Sequence, residues 1–492
     1  MVVKLGIPQI RYEVESLTRM LLGETPVTVV LPGENALDDE NMIVIAEEPE
    51  QNGVRCCVTT VFNGKAQKDA RLCANDSAEK EQTICRLIYD QLTTLQGHPL
   101  PWGMLTGVRP VKLVRQMAEA GLSEDEIAKK LADYGVSPER IRLSLDTWHN
   151  QKEIIHGLSS DKVSLYVAIP FCPSRCSYCS FVSHSIERAG NMMEQYLPLL
   201  LQELELTGRL INEAGLTVIS VYIGGGTPTT LSAQQMDQLL KEIVKDFDLS
   251  HCEEFTVEAG RPDTITQEKL QVLAWNGVNR ISINPQTLND SVLETIGRRH
   301  TAQDFLMAWK LSETFSFDRN VDLIAGLPGD TVASFQRTLE QILALRPENI
   351  TVHTLTLKRA SDLVVEHRAA AYDDVSAMLR HCDSLYDAGY HPYYMYRQKG
   401  TLQNLENIGW AKPGRDCLYN IYIMEEIHSI LSAGAGGSTK LVIPGRRRGK
   451  IERVFNFKYP TEYIDRFDEV LARKQTVEDF YARYTPQEIR RT

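Results

Sequence analysis

The chain has no run of about 18 consecutive apolar residues, so no transmembrane helix is expected. Its first residues, MVVKLGIPQIRYEVES, carry only a short apolar stretch followed by acidic side chains. The apolar core and small-residue cleavage site of a secretory leader are missing. Both absences point to a cytoplasmic protein without membrane contact. Positive charge is also scarce: 53 Lys and Arg stand against 65 Asp and Glu, a net charge of −12. Sequence-independent binding to nucleic acid needs a basic surface, so no nucleic-acid partner is expected. The one dense basic run, at 446–450 after Pro444-Gly445, reads as a solvated turn. Ten cysteines in 492 residues are too sparse for a disulfide scaffold. Solenoid-type repeats and low-complexity tracts are missing as well.

What is present is an ordinary apolar fraction of 43% on a chain long enough for two or three domains. Residues 1–100 mix strand-like runs (Val27–Leu31, Met42–Ala46, Val54–Phe62) with helical ones near Glu13–Leu22 and Ala78–Leu95, which reads as a small α+β domain. The Pro-rich hinge HPLPWGML leads into residues 101–160, a helical connector of three segments, with Ser123 and Ser137 as N-caps. From Val163 short β-rich runs alternate with amphipathic ones. Strands are expected at Ser164–Ile169, Val218–Ile223, Glu254–Glu258, Arg280–Ile283, Asn320–Ile324 and Ile350–Thr354, each followed by a helix up to Thr331–Leu345. That alternation predicts an α/β fold with a parallel sheet curved into a partial barrel over 161–370. Residues 371–492 read as a mixed α/β lobe, with helices at Asp374–Ala388 and Asn420–Leu431 and a hairpin around PGRRRGK.

Three cysteines are clustered, in Ser164–Ser183, SLYVAIPFCPSRCSYCSFVS. Cys172, Cys176 and Cys179 have the spacing C-x-x-x-C-x-x-C. Thiolates are the ligands of iron–sulfur clusters, and three of them leave one iron of a [4Fe–4S] cubane without a protein ligand. A zinc site is the plainer alternative, with His184 as a fourth ligand. Further polar or glycine-rich motifs follow the later strands. They are Gly224-Gly225-Gly226-Thr227-Pro228, Glu258 in EEFTVEAG, Gln286 in ISINPQ, and Asp322 in NVDLIAGLPGDT. Any one could be a turn or a helix cap. One per strand, at the C-terminal ends, is the pattern of a barrel active site.

Together these motifs resemble the radical S-adenosylmethionine (SAM) superfamily, and the partial (β/α)6 barrel is the fold that the resemblance implies. It assigns a [4Fe–4S] cluster to Cys172, Cys176 and Cys179, with SAM chelated at the open iron and cleaved to a 5′-deoxyadenosyl radical. It places Tyr178 against the adenine and GGGTP (Gly224, Gly225, Gly226, Thr227) at the SAM amino group. Glu258, Gln286 and Asp322 are strand-end SAM contacts, Tyr166 is the family's first-strand tyrosine, and Arg298 in TIGRRH contacts substrate or SAM. Arg298, Gln286 and Asp322 are then the catalytic candidates.

SLYVAIPFC, YIGGGTPTTL, SINPQTLND and VDLIAGLPGDT are similar to the oxygen-independent coproporphyrinogen III oxidase family, and the added N-terminal region resembles its HemZ-type subgroup. This implies oxidative decarboxylation of coproporphyrinogen III to protoporphyrinogen IX in heme biosynthesis. It requires a tetrapyrrole substrate and a low-potential electron donor. Arg299, Lys358, Arg359, Arg397 and Lys399 are further candidates for the propionates. Two departures favour an alternative. Phe181 replaces a further Cys of the oxidases, and Ala168 replaces a His. CSYCSFVS is closer to heme chaperones, for which His184, His353, His391 or His428 would be iron ligands. A radical SAM enzyme with another substrate is the third reading.

Overall fold

A computed structural model of the chain describes residues 1–23, 25–34, 39–179, 184–189, 191–357, 373–443 and 451–484. The chain divides into two compact units, Met1–Leu145 with Arg397–Leu405, and Asp146–Tyr396 with Glu406–Thr492.

The first unit is built on a sheet of order β2-β1-β3-β4-β5. Its strands are β1 (Val2–Leu5), β2 (Thr28–Val30), β3 (Met42–Glu50), β4 (Gly53–Phe62) and β5 (Lys65–Cys73). β1 runs parallel to β2 and β3, and β3, β4 and β5 form an antiparallel meander. Alternation along β4 turns Val54, Cys56, Val58 and Thr60 inward. Val54, Cys56 and Val58 share one apolar core with Val14 and Leu17 of the helix Arg11–Leu22 and Ile84, Leu87 and Leu92 of the helix Ser77–Gln96. Two strands go beyond the sequence reading. β1 is only four residues long. β5 is an edge strand whose charged side chains leave nearly all of it exposed, so neither has a clear apolar alternation. Ser123 caps the helix Glu124–Asp133 through a capping box with Glu126, and Ser137 Oγ accepts from the Arg140 N–H.

The second unit holds an open eleven-stranded sheet. β6 (Lys162–Ile169) is followed by a short pair, β7 (Phe171–Cys172) and β8 (His184–Ser185). Then come β9 (Thr217–Gly225), β10 (Glu254–Glu258), β11 (Arg280–Ser282), β12 (Asp318–Ala325) and β13 (Asn349–Thr354). β6, β9, β10, β11, β12 and β13 are successive parallel neighbours, the six expected strands in the expected order. Their apolar runs suit a sheet covered on both faces. The crossover helices include Met192–Glu213, Ala233–Asp246, Gln267–Trp275, Ala302–Ser312 and Val332–Leu345. Ser232, Thr266, Thr301 and Thr331 accept backbone N–H bonds at four of their N-termini.

On one side the sheet continues through β14 (His391–Arg397) and β15 (Glu406–Ala411), with β15 antiparallel to β13. On the other side it continues through β16 (Ser429–Ala433), β17 (Ser438–Leu441) and β18 (Glu452–Phe455). β16 corrects the expected helix Asn420–Leu431. The helix stops at Glu425, where Glu426 turns left-handed (φ 53°), and the apolar run that follows pairs parallel with β6. Asp374–Ala388 is likewise two short helices, Val375–Arg380 and Asp383–Asp387. β17 and β18 form the expected antiparallel pair, while the basic run at 446–450 lies outside the described residues.

Candidate functional site

Period-2 alternation decides what the parallel sheet presents at its C-terminal ends. The register Tyr166↔Tyr222 and Ala168↔Gly224 continues as Tyr222↔Thr256, Glu258↔Ser282, Ser282↔Asn320 and Asp322↔Thr351. These residues share one face, and the tips of that face gather the sequence candidates. Tyr166, Tyr222 and Tyr419 stack, Tyr222 and Tyr419 with ring centres 4.4 Å apart and planes within 21°.

The cysteine loop follows β6 directly. Thr227 N–H donates to Phe171 O (2.7 Å) and Gly226 N–H to Ile169 O (2.9 Å), so the GGGTP turn is zipped against it. Thr227 Oγ1 lies 3.5 Å from Cys172 Sγ. A Cβ on Gly226 would meet Phe171 O at 2.5 Å and Cys172 Sγ at 3.0 Å, so only glycine allows this approach. Cys179 N–H donates to Cys176 O (3.0 Å), and Ser177 N–H to Ile296 O (3.0 Å). His184 pairs in register with Phe171 and donates its N–H to Pro170 O (2.9 Å).

Glu258 accepts from Tyr222 OH (2.6 Å). Burial pushes its carboxyl up to about 7, with Asp322 adding to the rise and the Tyr222 hydrogen bond opposing it. Asp322 goes the other way. Burial would raise it, but hydrogen bonds from His353, Asn320 and Thr351 hold it below the usual carboxylate range. Asn284 Nδ2 and Asn320 Nδ2 each donate to it at 2.8 Å. Gln286 is buried at a left-handed φ of 69°, rare for a side chain larger than glycine, and its Oε1 has no partner. The backbone is held there by Gln286 N–H to Asp322 O (3.0 Å) and Ile324 N–H to Gln286 O (2.9 Å). Arg298 donates to Asn284 O (2.6 Å) and to Tyr178 OH (3.2 Å), leaving its buried Nε without a partner.

The donor set fits an iron–sulfur group. Three soft thiols stand on one loop, Gly226 leaves the sulfur of Cys172 room, and unpartnered polar atoms of Gln286 and Arg298 await a polar ligand. Among the described residues no three His, Cys, Asp or Glu side chains converge as they would on a single ion. In a cubane each thiolate binds a different iron, so the sulfurs need not converge.

Other sequence candidates lie elsewhere. Arg397, in the first unit, is buried and donates to Leu105 O, Gly107 O and Asn404 O over the Trp102 ring. Lys399 reaches Tyr12 OH (3.1 Å) at the surface. His391 pairs with Asp416 (2.7 Å). His428 is buried against Ser164 Oγ (2.8 Å), and burial pushes it down to about 3. Phe181, Lys358 and Arg359 lie outside the described residues. Tyr222, Tyr419, Asn284 and Asn320 also contact the candidate residues at these strand tips, and no motif singled them out. The signal for Tyr222 was available, because it sits two residues before Gly224 and so on the same face.

Residues 166–342 match the radical SAM superfamily. The oxygen-independent coproporphyrinogen-III oxidase-like protein HemZ of Bacillus subtilis is 36% identical over 94% of this chain and 93% of its own length. The heme chaperone HemW of the same organism is 31% identical over 65% of this chain and 82% of its own. Among solved structures, the coproporphyrinogen III oxidase HemN of Escherichia coli, a radical SAM enzyme, covers 63% of this chain and 70% of its own at 23% identity, with a TM-score of 0.50. That last likeness concerns the fold alone. With the motif residues gathered at the strand tips and a relative matched along nearly its whole length, the chain belongs to the radical SAM superfamily and, within it, to the HemZ family of coproporphyrinogen-III oxidase-like proteins.

Proposed function

We propose that the chain is a radical SAM oxidoreductase that converts coproporphyrinogen III to protoporphyrinogen IX by oxidative decarboxylation of two propionates. The observation that carries this reading is the 36% identity to the HemZ relative across 94% of the chain, whereas the HemW relative aligns with 65%. Cys172, Cys176 and Cys179 would hold a [4Fe–4S] cluster with one iron open, and SAM bound there would supply a 5′-deoxyadenosyl radical for hydrogen abstraction. The chain's own groups bind, orient and exclude. Gly224, Gly225, Gly226 and Thr227 present backbone beside Cys172. Glu258, with its raised carboxyl, would accept a hydrogen bond from the SAM amino group once ionised. Asp322 stays ionised through His353 and Asn320. Gln286 Oε1 and Arg298 Nε would supply the remaining polar contacts, and Tyr178 and Tyr166 would offer aromatic faces. A low-potential electron donor is required for SAM cleavage, and an electron acceptor must take the one electron released as each propionate loses carbon dioxide.

Ala168 and Phe181, in place of the oxidases' His and Cys, support a second reading, a heme chaperone on the same fold. One experiment separates the two. Reconstituted protein is incubated anaerobically with coproporphyrinogen III, SAM and a low-potential reductant, and the product mass is measured. A product lighter by two carbon dioxide units and four hydrogen atoms supports the oxidase, whereas loss of carbon dioxide alone would leave ethyl groups and count against it. Unchanged substrate together with stoichiometric heme binding by absorbance supports the chaperone.

A further inference from the structure

Arg261 lies outside every motif used so far, yet its guanidinium reaches the cysteine loop. It follows the tip of β10, and its side chain is only 4% exposed. Nε and Nη2 engage the Asp263 carboxylate at 3.0 and 3.1 Å. Nη1 turns the other way, to Ser174 Oγ (3.2 Å) and Cys176 Sγ (3.7 Å). Ser174 Oγ in turn donates to Gly297 O (3.3 Å). A fixed cation thus faces one sulfur of the triad, aimed by a carboxylate that keeps the guanidinium plane in place.

A thiolate that accepts a hydrogen bond from a cation gives less electron density to its iron. The reduced cluster carries one more negative charge than the oxidised one, so a buried donor favours reduction, and hydrogen bonds to the sulfurs are among the levers that set such potentials. We propose that Arg261 is a positioning and potential-setting residue, whose charge-assisted hydrogen bond to the Cys176 thiolate raises the reduction potential of the cluster. The inference rests on the reading of Cys172, Cys176 and Cys179 as cluster ligands. Asp263 is its counterweight. It aims the guanidinium and at the same time offsets part of its charge.

The test is an EPR-monitored redox titration of the reconstituted full chain, with iron content measured in parallel. Arg261→Gln should keep iron and lower the potential by at least tenfold in the reduction equilibrium, about 59 mV for one electron. Asp263→Asn, which unmasks the cation, should shift the potential the opposite way. A residue that merely pins the loop would not produce shifts of opposite sign. Arg261→Gln with native iron and an unmoved midpoint overturns the proposal. If Arg261→Gln loses its iron, Asp263→Asn decides, and a downward or absent shift there overturns it. Wild-type protein that takes up no iron instead fails the cluster reading itself, an outcome distinct from these.

Discussion

Gly226→Ala should empty the cluster site while costing the fold only modestly. The added methyl would lie 2.5 Å from Phe171 O, 2.9 Å from Phe171 N and 3.0 Å from Cys172 Sγ. The backbone oxygen is about 1 Å inside ordinary contact, and it cannot rotate away as a side-chain tip would. Overpacking of this kind typically costs about 1–3 kcal/mol. The relief available is a shift of the Phe171–Cys172 backbone, which carries the first cluster ligand, and this breaks the bonds Thr227 N–H to Phe171 O and Gly226 N–H to Ile169 O. Gly224→Ala is the matched control, because its methyl would meet the Glu258 carboxyl and the Tyr222 ring, each at 2.9 Å, and both are side-chain atoms. Iron and sulfide per chain after anaerobic reconstitution, with denaturant unfolding of the unreconstituted protein, read both effects. Gly226→Ala should lose most of its iron, whereas Gly224→Ala should keep its iron and bind SAM more weakly. Full iron loading of Gly226→Ala with unchanged stability would refute the close packing from which this is argued.

Further outcomes follow from the same geometry. Cys172→Ala, Cys176→Ala and Cys179→Ala should each abolish both the cluster absorbance and the SAM cleavage; any single variant keeping both removes that residue from the ligand set. With the Glu258 carboxyl raised to about 7, SAM affinity should fall as pH drops below that value, because the ionised carboxylate is the stronger acceptor for the amino N–H. Equilibrium binding between pH 5.5 and 8 checks this, and Glu258→Gln should flatten the profile. In the ligand-free protein the same raised carboxyl contributes stability that is full below its unfolded value and is lost as pH rises through about 7. Glu203 is fully buried between Lys474 (2.8 Å), Tyr463, Asn456 and the Gly434 N–H. Lys474→Met should therefore destabilise the second unit by about 3–5 kcal/mol in denaturant unfolding, since it strands a buried carboxylate. A loss under 1 kcal/mol would contradict that.

Much of this molecule was readable before its coordinates. The six parallel strands were legible because each is a short, largely apolar run ending in a glycine or polar tip, with helical segments between successive strands. Cys172, GGGTP, Glu258, Gln286 and Asp322 were legible through spacing and order. What was hidden depends on partners far along the chain. β16 reads as the tail of a helix until β6 is there to pair with it, and β5, an edge strand among the described residues, is too polar to show an apolar alternation. Tyr419 enters the tyrosine stack, and Arg261 reaches Cys176, through tertiary contacts that no local pattern encodes. The left-handed backbone at Gln286 is likewise imposed by the β12 bonds on either side of it.

The proposed function requires that three sulfurs hold an iron cluster with one iron left for SAM. EPR of the reduced, reconstituted protein before and after addition of SAM tests this most directly. About four irons per chain and a spectrum that changes when SAM binds are expected. Iron-free protein carrying stoichiometric zinc, or a cluster spectrum indifferent to SAM, would contradict it.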